Sequence, residues 1–156
     1  MAHAFRVTLK GQKQGTIRGE DPGQPDQIVG LNFVNHVLSP RDPATGQASG
    51  RRVHSPIVFT KEWGAASPQI YQALITNEVL TSVVFAFVSV LPDGTEGTYF
   101  LIQLTNAVVV EVRQYIGSAP GEAKITRELE DISLVYHTIS IEDKIANTSV
   151  RDEWGA

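Results

Sequence analysis

The strongest constraint on the fold is an alternation of apolar and polar residues that recurs along most of the chain. In residues 5–10, Phe5, Val7 and Leu9 alternate with arginine, threonine and lysine. Alternate residues of a strand face opposite sides of a sheet, so this pattern predicts a half-buried strand. The pattern restarts at 29–33, 53–60, 83–91, 98–104, 108–112 and 129–141. The chain is therefore expected to consist mainly of strands.

Local breakers indicate where these strands turn or bend. Pro92-Asp93-Gly94 separates two alternating segments and predicts a hairpin. Pro56 cannot donate a backbone hydrogen bond, so it indicates a strand edge or a bulge within 53–60. The apolar parity slips between Leu129 and Ile132, which predicts a further bulge or a strong twist.

One segment has helical periodicity instead. Ser67 followed by Pro68 predicts an N-cap and a first helical residue. Proline is favoured at that position because the N–H groups of the first turn have no partner within the helix, so the missing N–H costs nothing. Ile70 and Leu74 then recur at helical spacing and are expected to face the core. The helix is expected to run from about Pro68 to about Asn77.

Together these elements predict an all-β, mainly antiparallel fold, a compact barrel or sandwich of about eight strands with one short α-helix. A chain of 156 residues is long enough to bury one core without disulfides or metals. We expect a single domain over residues 1–156.

The composition argues against several classes of function. A formal net charge of −4 is not that of a nucleic-acid-binding protein, and the absence of cysteine excludes disulfides and thiolate metal sites. No run of about 18 apolar residues occurs, so membrane insertion is not expected. Residues 1–10 lack the apolar stretch of a secretory signal peptide, so export would require a dedicated machine.

No catalytic constellation emerges from the polar residues. The four histidines lie on different predicted elements without metal-site spacing: His3, His36, His54 and His137. Glu128 and Glu130 share one strand face, as a pair of catalytic carboxylates could. A charged outer face explains them more simply. We therefore expect no enzyme, no metal site and no cofactor.

The segment 83–90 is apolar on both faces, which is unusual for an antiparallel strand in a soluble monomer. Val84, Ala86 and Val88 lie on the face opposite the predicted core side. Either the helix or another subunit is expected to cover that face, and the pattern does not choose between them.

Residues 39–52 form a long segment without apolar periodicity, rich in proline and glycine. Connections inside compact domains are typically about 4–6 residues long, and much longer ones are usually functional or disordered. Arg41, Arg51 and Arg52 give this loop a cationic character in an acidic protein. Such a loop suits docking onto a carboxylate-bearing neighbour.

Two blocks of sequence resemble the haemolysin co-regulated protein (Hcp) family, which forms the inner tube of the type VI secretion system. The more specific block runs from Arg51 to Leu74 and includes TKEWGAASPQIYQAL. The second includes LEDISLVY at 129–136, and the tail Asp152-Glu153-Trp154 is similar to family C-termini.

The resemblance implies a β-barrel with one helix that assembles into hexameric rings, which stack into a tube. It implies a contractile sheath, a spike protein and secreted effectors as partners, with effectors carried in the lumen. It also implies residence in the bacterial cytoplasm before export through the apparatus without a signal peptide. The family's loop lies between adjacent rings, so we expect Arg41, Asp42, Arg51 and Arg52 to contribute to stacking.

Val84, Ala86 and Val88 are then candidates for the interface between subunits. Two alternatives remain at this stage. A phage-type tail-tube protein would have the same physical properties, and a monomeric small-ligand-binding barrel would line a pocket with the apolar faces.

Overall fold

The computed structural model describes residues 4–19, 23–118 and 126–153. Within them the fold contains eleven strands and one helix, α1 (Ala66–Ile75). The longer strands are β1 (Ala4–Gly11), β7 (Ile57–Glu62), β8 (Leu80–Val90), β9 (Glu96–Gly117), β10 (Arg127–Asp143) and β11 (Thr148–Glu153). The short strands are β2 (Gly15–Thr16), β3 (Ile28–Gly30), β4 (Asn32–Val34), β5 (Val37–Leu38) and β6 (Val53–His54). All pairings between these strands are antiparallel, which confirms the predicted fold class.

The main sheet closes on itself through a short segment, residues 28–34. Strands β1, β8, β9, β10 and β7 are neighbours in that order. β3 pairs with β1, and β4 pairs with β7 at the other end of the series. Only Leu31 separates β3 from β4, and its N–H donates to the carbonyl of Thr60 at 2.8 Å. The sheet is therefore a closed barrel rather than an open sandwich.

β9 pairs with β10 over a longer stretch than it pairs with β8. β8 accompanies β9 only as far as Ala107, whereas β10 continues to pair with β9 up to Gly117. On its other edge β10 pairs first with β7, over 129–134, and then with β11, over 138–143. Residues 108–117 of β9 therefore pair with β10 on one side and have no partner strand on the other side in the described chain.

The barrel interior is filled by its own side chains. Phe33 contacts Phe5, Phe85 and Phe87 with ring centroids 5.9, 4.9 and 5.2 Å apart. Phe59 packs edge-on against Phe85 at 5.6 Å. The β-branched and leucine side chains of β1, β8, β9 and β10 complete this core. A barrel of this size has no room for an internal channel.

The helix begins and ends two residues earlier than the sequence predicts. Its N-cap is Ala65, not Ser67, so Pro68 occupies the third helical position. Proline is tolerated there because the N–H groups of the first turn have no intrahelical partner. Ile70 is fully buried in the core, and Leu74 is half-buried against it.

Ser67 has a different role from a cap. A fully buried ion pair joins Lys61 Nζ to Glu130 Oε1 at 2.7 Å, with 1% and 0% of the side chains exposed. The Ser67 hydroxyl donates to the same carboxylate oxygen at 2.6 Å, and Gln114 Nε2 donates to the other at 3.1 Å. The prediction that Glu130 lies on a charged outer face was wrong. The start of α1 covers Glu130, and Lys61 neutralises its charge.

The end of the helix is attached to the barrel by a second buried carboxylate. Glu78 accepts hydrogen bonds from the N–H groups of Lys13 and Gln14, at 2.9 and 2.8 Å. The side-chain amide of Gln14 donates to it at 3.2 Å. These contacts connect the segment after α1 to the turn between β1 and β2. The helix is thus fixed at both ends by hydrogen-bonded carboxylates.

Of the two strand irregularities that the sequence predicts, one lies where it was expected and the other does not. The segment 53–60 is interrupted at Ser55 and Pro56, as expected for a proline that cannot donate. The register between β9 and β10 shifts opposite Ser133 and Leu134, where Val110 is an extra residue in β9, so the bulge lies in β9 and not between Leu129 and Ile132. The apparent slip in apolar parity at 129–132 arises because Glu130 is buried by its ion pair.

Closure of the barrel predicts that Gly30 is intolerant of a side chain. A Cβ atom at Gly30 would lie 1.9 Å from the ring of Phe5, which is packed among the other phenylalanines. We expect Gly30→Ala to lower the free energy of unfolding by about 1–3 kcal/mol, as overpacking of cores does.

Urea denaturation measures the effect. Gly50→Ala is the matched control, because no atom lies within 4 Å of the corresponding Cβ position. Equal stability of the two variants would show that β3 does not pack closely on β1.

Candidate assembly surfaces

Residues 37–54 form a β-ribbon with a structured tip, which we call the arm. Its base is the pairing of β5 with β6, where Val37 faces His54 and Leu38 faces Val53. Nearer the tip, Arg41 and Ala48 form an isolated bridge, and Asp42 Oδ1 accepts the N–H of Ala44 at 2.8 Å. The long loop is therefore ordered by its own hydrogen bonds.

The arm exposes both charged and apolar side chains. Arg41 and Arg51 are exposed and form no ion pair with another described residue. Val37, Leu38 and Val53 are also exposed, although such residues are normally covered. A surface of this composition is typical of a protein contact.

Arg52 is the exception among the loop arginines. Its guanidinium binds both carboxylate oxygens of Asp152 in β11 and donates through Nη2 to the carbonyl of Glu153 at 3.1 Å. Bidentate pairs of this kind are directional as well as strong. The carboxylate that Arg52 contacts is thus one of its own chain.

His54 completes this contact, and we call the four residues Arg52, His54, Tyr136 and Asp152 the arm clasp. The His54 side chain is only 4% exposed. Its Nε2 lies 2.7 Å from Asp152 Oδ2, and its Nδ1 lies 2.8 Å from the hydroxyl of Tyr136. The clasp therefore ties the base of the arm to β10 and β11.

The electrostatics of the clasp suit a structural role. Hydrogen bonds from Arg52 and His54 lower the pKa of Asp152 to about 2. Burial, together with the Asp152 charge, raises the pKa of Tyr136 to about 12. Asp152 therefore stays ionised and keeps its hydrogen bonds to Arg52 and His54 over most of the pH range, which stabilises the clasp.

The outer face of β8 carries the three apolar residues identified in the sequence. Val84, Ala86 and Val88 are half-buried, while Val83 and Phe85 on the inner face are fully buried. The helix packs against β9 and the core instead.

Among the longer strands of the described chain, two have an edge without a partner strand. One is residues 108–117 of β9, on the side away from β10. The other is β11, on its side away from β10. Both carry exposed apolar side chains, with Ile116 65% and Val150 60% exposed. Unpaired edges are ready templates for pairing with another chain.

Other kinds of site find no support in the described residues. No group of three or more histidine, aspartate or glutamate side chains in residues 4–19, 23–118 and 126–153 could hold a metal ion. No helix in the same ranges has the length and apolar character needed to cross a membrane. His3 and Trp154 lie outside the described residues.

The clasp predicts a loss of stability in acid. The pKa of Asp152 is lower in the folded chain than its ordinary value of 3.8, so the unfolded chain binds the proton first. The contribution of Asp152 is therefore complete above about pH 4 and is lost as pH falls toward 2. Asp152→Asn should flatten the pH dependence of the unfolding free energy in that window.

Urea titrations at fixed chain concentration measure this slope. Arg151→Gln is the control, because it removes an exposed neighbouring charge and leaves the clasp contacts in place. Parallel slopes for the wild type and Asp152→Asn would contradict a coupling of Asp152 ionisation to folding.

Comparison with known proteins places the chain in a family. A family model described as type VI secretion system effector, Hcp, matches residues 7–142. The major exported protein of Pseudomonas aeruginosa is 34% identical over 167 aligned positions, covering 99% of this chain and 96% of that protein. The crystal structure of an Hcp protein has a TM-score of 0.88 at 26% identity and covers 99% of both chains. Secreted protein Hcp3 from P. aeruginosa has a TM-score of 0.81 at 26% identity, over 99% of this chain and 100% of that chain. The chain belongs to the Hcp family of the type VI secretion system.

Proposed function

We propose that this chain, acting as a single domain, is the structural subunit of a type VI secretion tube. It assembles into hexameric rings, the rings stack, and the tube is exported with effectors carried in its lumen. Family membership supports the apparatus, and the name of the major exported protein of P. aeruginosa supports export. The protein works by assembly and not by catalysis.

The observation that carries this proposal is a filled barrel in which two of the longer described strands, β9 and β11, have an unpaired edge. Because phenylalanine rings and aliphatic side chains occupy the barrel interior, a conduit for cargo has to lie between subunits. The same packing disfavours a monomeric barrel that binds a small ligand inside. A tube protein of phage type has the same geometry, and the family match favours the secretion apparatus.

The positions of the two edges suit a ring. The free edge of β9 and the free edge of β11 lie on opposite sides of β10. Different surfaces on opposite sides of one subunit give head-to-tail contacts, which close into a ring when the rotation allows it. The half-buried outer face of β8, with Val84, Ala86 and Val88, extends the proposed contact between subunits.

The arm suits contacts between rings. Arg41 and Arg51 are its available cations, and Asp42 is engaged in the turn at its tip. Arg52 acts indirectly, because its contact with Asp152 sets the direction in which the arm leaves the barrel. The sheath, the spike protein and the effectors are the expected partners of the assembled tube. Subunits reside in the bacterial cytoplasm and leave through the apparatus without a signal peptide.

Replacement of residues 41–50 by a short Gly-Ser bridge tests the division of roles. The base of the arm and the clasp remain, and shortening a surface loop costs little closure entropy. We expect intact rings that stack poorly, seen as isolated rings by electron microscopy and as loss of fast-sedimenting tubes.

The charge contribution is tested separately by Arg51→Glu, with Arg18→Glu as the control at another exposed arginine. Arg51→Glu should weaken stacking most at low salt, where charges are screened least. Normal tubes in both arm variants would remove the arm from the stacking contact, and loss of rings would place it between subunits of one ring.

A further inference from the structure

The most unusual polar group in the described chain is the guanidinium of Arg6 in β1. Arg6 pairs with Ala86 of β8 on one side and with Val29 of β3 on the other. Its Nη1 atom is buried from solvent and has no hydrogen-bond partner. Since arginine stays charged, an unpaired and partly desolvated guanidinium is unfavourable and calls for an explanation.

Arg6 lines a groove of about 220 Å³ between the segment 24–27 and the start of β9. Gln24, Gln27 and Thr98 add neutral side chains that can donate hydrogen bonds. Glu96 also lines the groove but forms no ion pair with Arg6 in the described chain. The groove therefore contains one cation that no carboxylate of the described chain contacts.

The chemistry of the groove favours a single carboxylate as its ligand. A guanidinium presents parallel N–H groups that match the two oxygens of a carboxylate, and partial burial strengthens their attraction. The negative charge of Glu96 disfavours a doubly charged phosphate. One wall of the groove consists of Ala86 and Val88, which belong to the apolar face proposed as the contact between subunits.

We infer that the Arg6 groove receives an acidic side chain of the neighbouring copy of this chain in the ring. This inference rests on the proposed ring. The chain carries 17 acidic against 13 basic residues, so a second copy offers an excess of carboxylates. The groove continues the apolar outer face of β8, and the ion pair would form as that face becomes covered. Arg6 is thus unpaired in the single subunit because its partner is supplied by assembly.

The inference makes two predictions of opposite sign for Arg6→Met. The Arg6→Met ring should have a dissociation midpoint at a chain concentration at least about tenfold higher than that of the wild-type ring, because a buried charge pair across the contact is lost. The dissociated subunit should be as stable as the wild type or more stable, because an unpaired guanidinium is replaced by an apolar side chain. Arg6→Lys should restore ring stability only in part, since lysine lacks the forked donors.

Sedimentation and mass photometry over a dilution series measure the ring, and urea unfolding of the diluted subunits measures the chain. Arg18→Met is the control, because it removes the same charge from an exposed arginine and should shift dissociation by less than about twofold. Wild-type rings with unchanged dissociation of Arg6→Met would overturn this inference and leave the proposed function standing. If the dissociated Arg6→Met subunit is less stable than the wild-type subunit, the carboxylate that binds Arg6 belongs to the same chain, and this result also overturns the inference. A wild type that is monomeric throughout would overturn both proposals.

Discussion

Closure of the sheet by residues 28–34 is the constraint from which the rest of the architecture follows. In this segment β3 forms hydrogen bonds with β1, and β4 forms hydrogen bonds with β7. The two end strands of the sheet are thereby joined, and the barrel has no open edge at that seam. The close approach of Gly30 to the ring of Phe5 shows how tightly the seam is packed. Because the barrel is closed, the unpaired edges of the longer described strands are those of β9 beyond Ala107 and of β11, and these are available to pair with another chain. Assembly surfaces are thereby confined to a few places.

The sequence predicted the strands well because period-two alternation reports which face of a strand is buried. Phe5, Val7 and Leu9 are all buried in the core, as their spacing indicated. The prediction weakened where a polar residue is buried by a distant partner. The local sequence around Glu130 predicts a surface residue. Its burial depends on the ion pair with Lys61, which is 69 residues away along the chain. Ser67 reads as a helix cap for the same reason, since its hydrogen bond to Glu130 is a tertiary contact.

The candidate assembly surfaces were predicted in part. The length and composition of residues 39–52 identified the arm, and the doubly apolar strand identified the outer face of β8. The clasp could not be predicted, because Arg52 and Asp152 are 100 residues apart and local spacing carries no information on such a pair. The unpaired state of Arg6 was equally hidden, since alternation placed it on a solvent-facing side without indicating its neighbours. Free strand edges likewise depend on where each partner strand ends.

Assembly is the property on which the proposed function depends, and the mass of the wild-type chain in solution tests it most directly. Light scattering coupled to size-exclusion chromatography gives this mass without reference to shape. A hexameric ring would have a mass of about six times the 17.0 kDa of one chain, with larger species where rings stack. A mass of 17.0 kDa maintained across a wide range of concentrations would contradict the tube-subunit function.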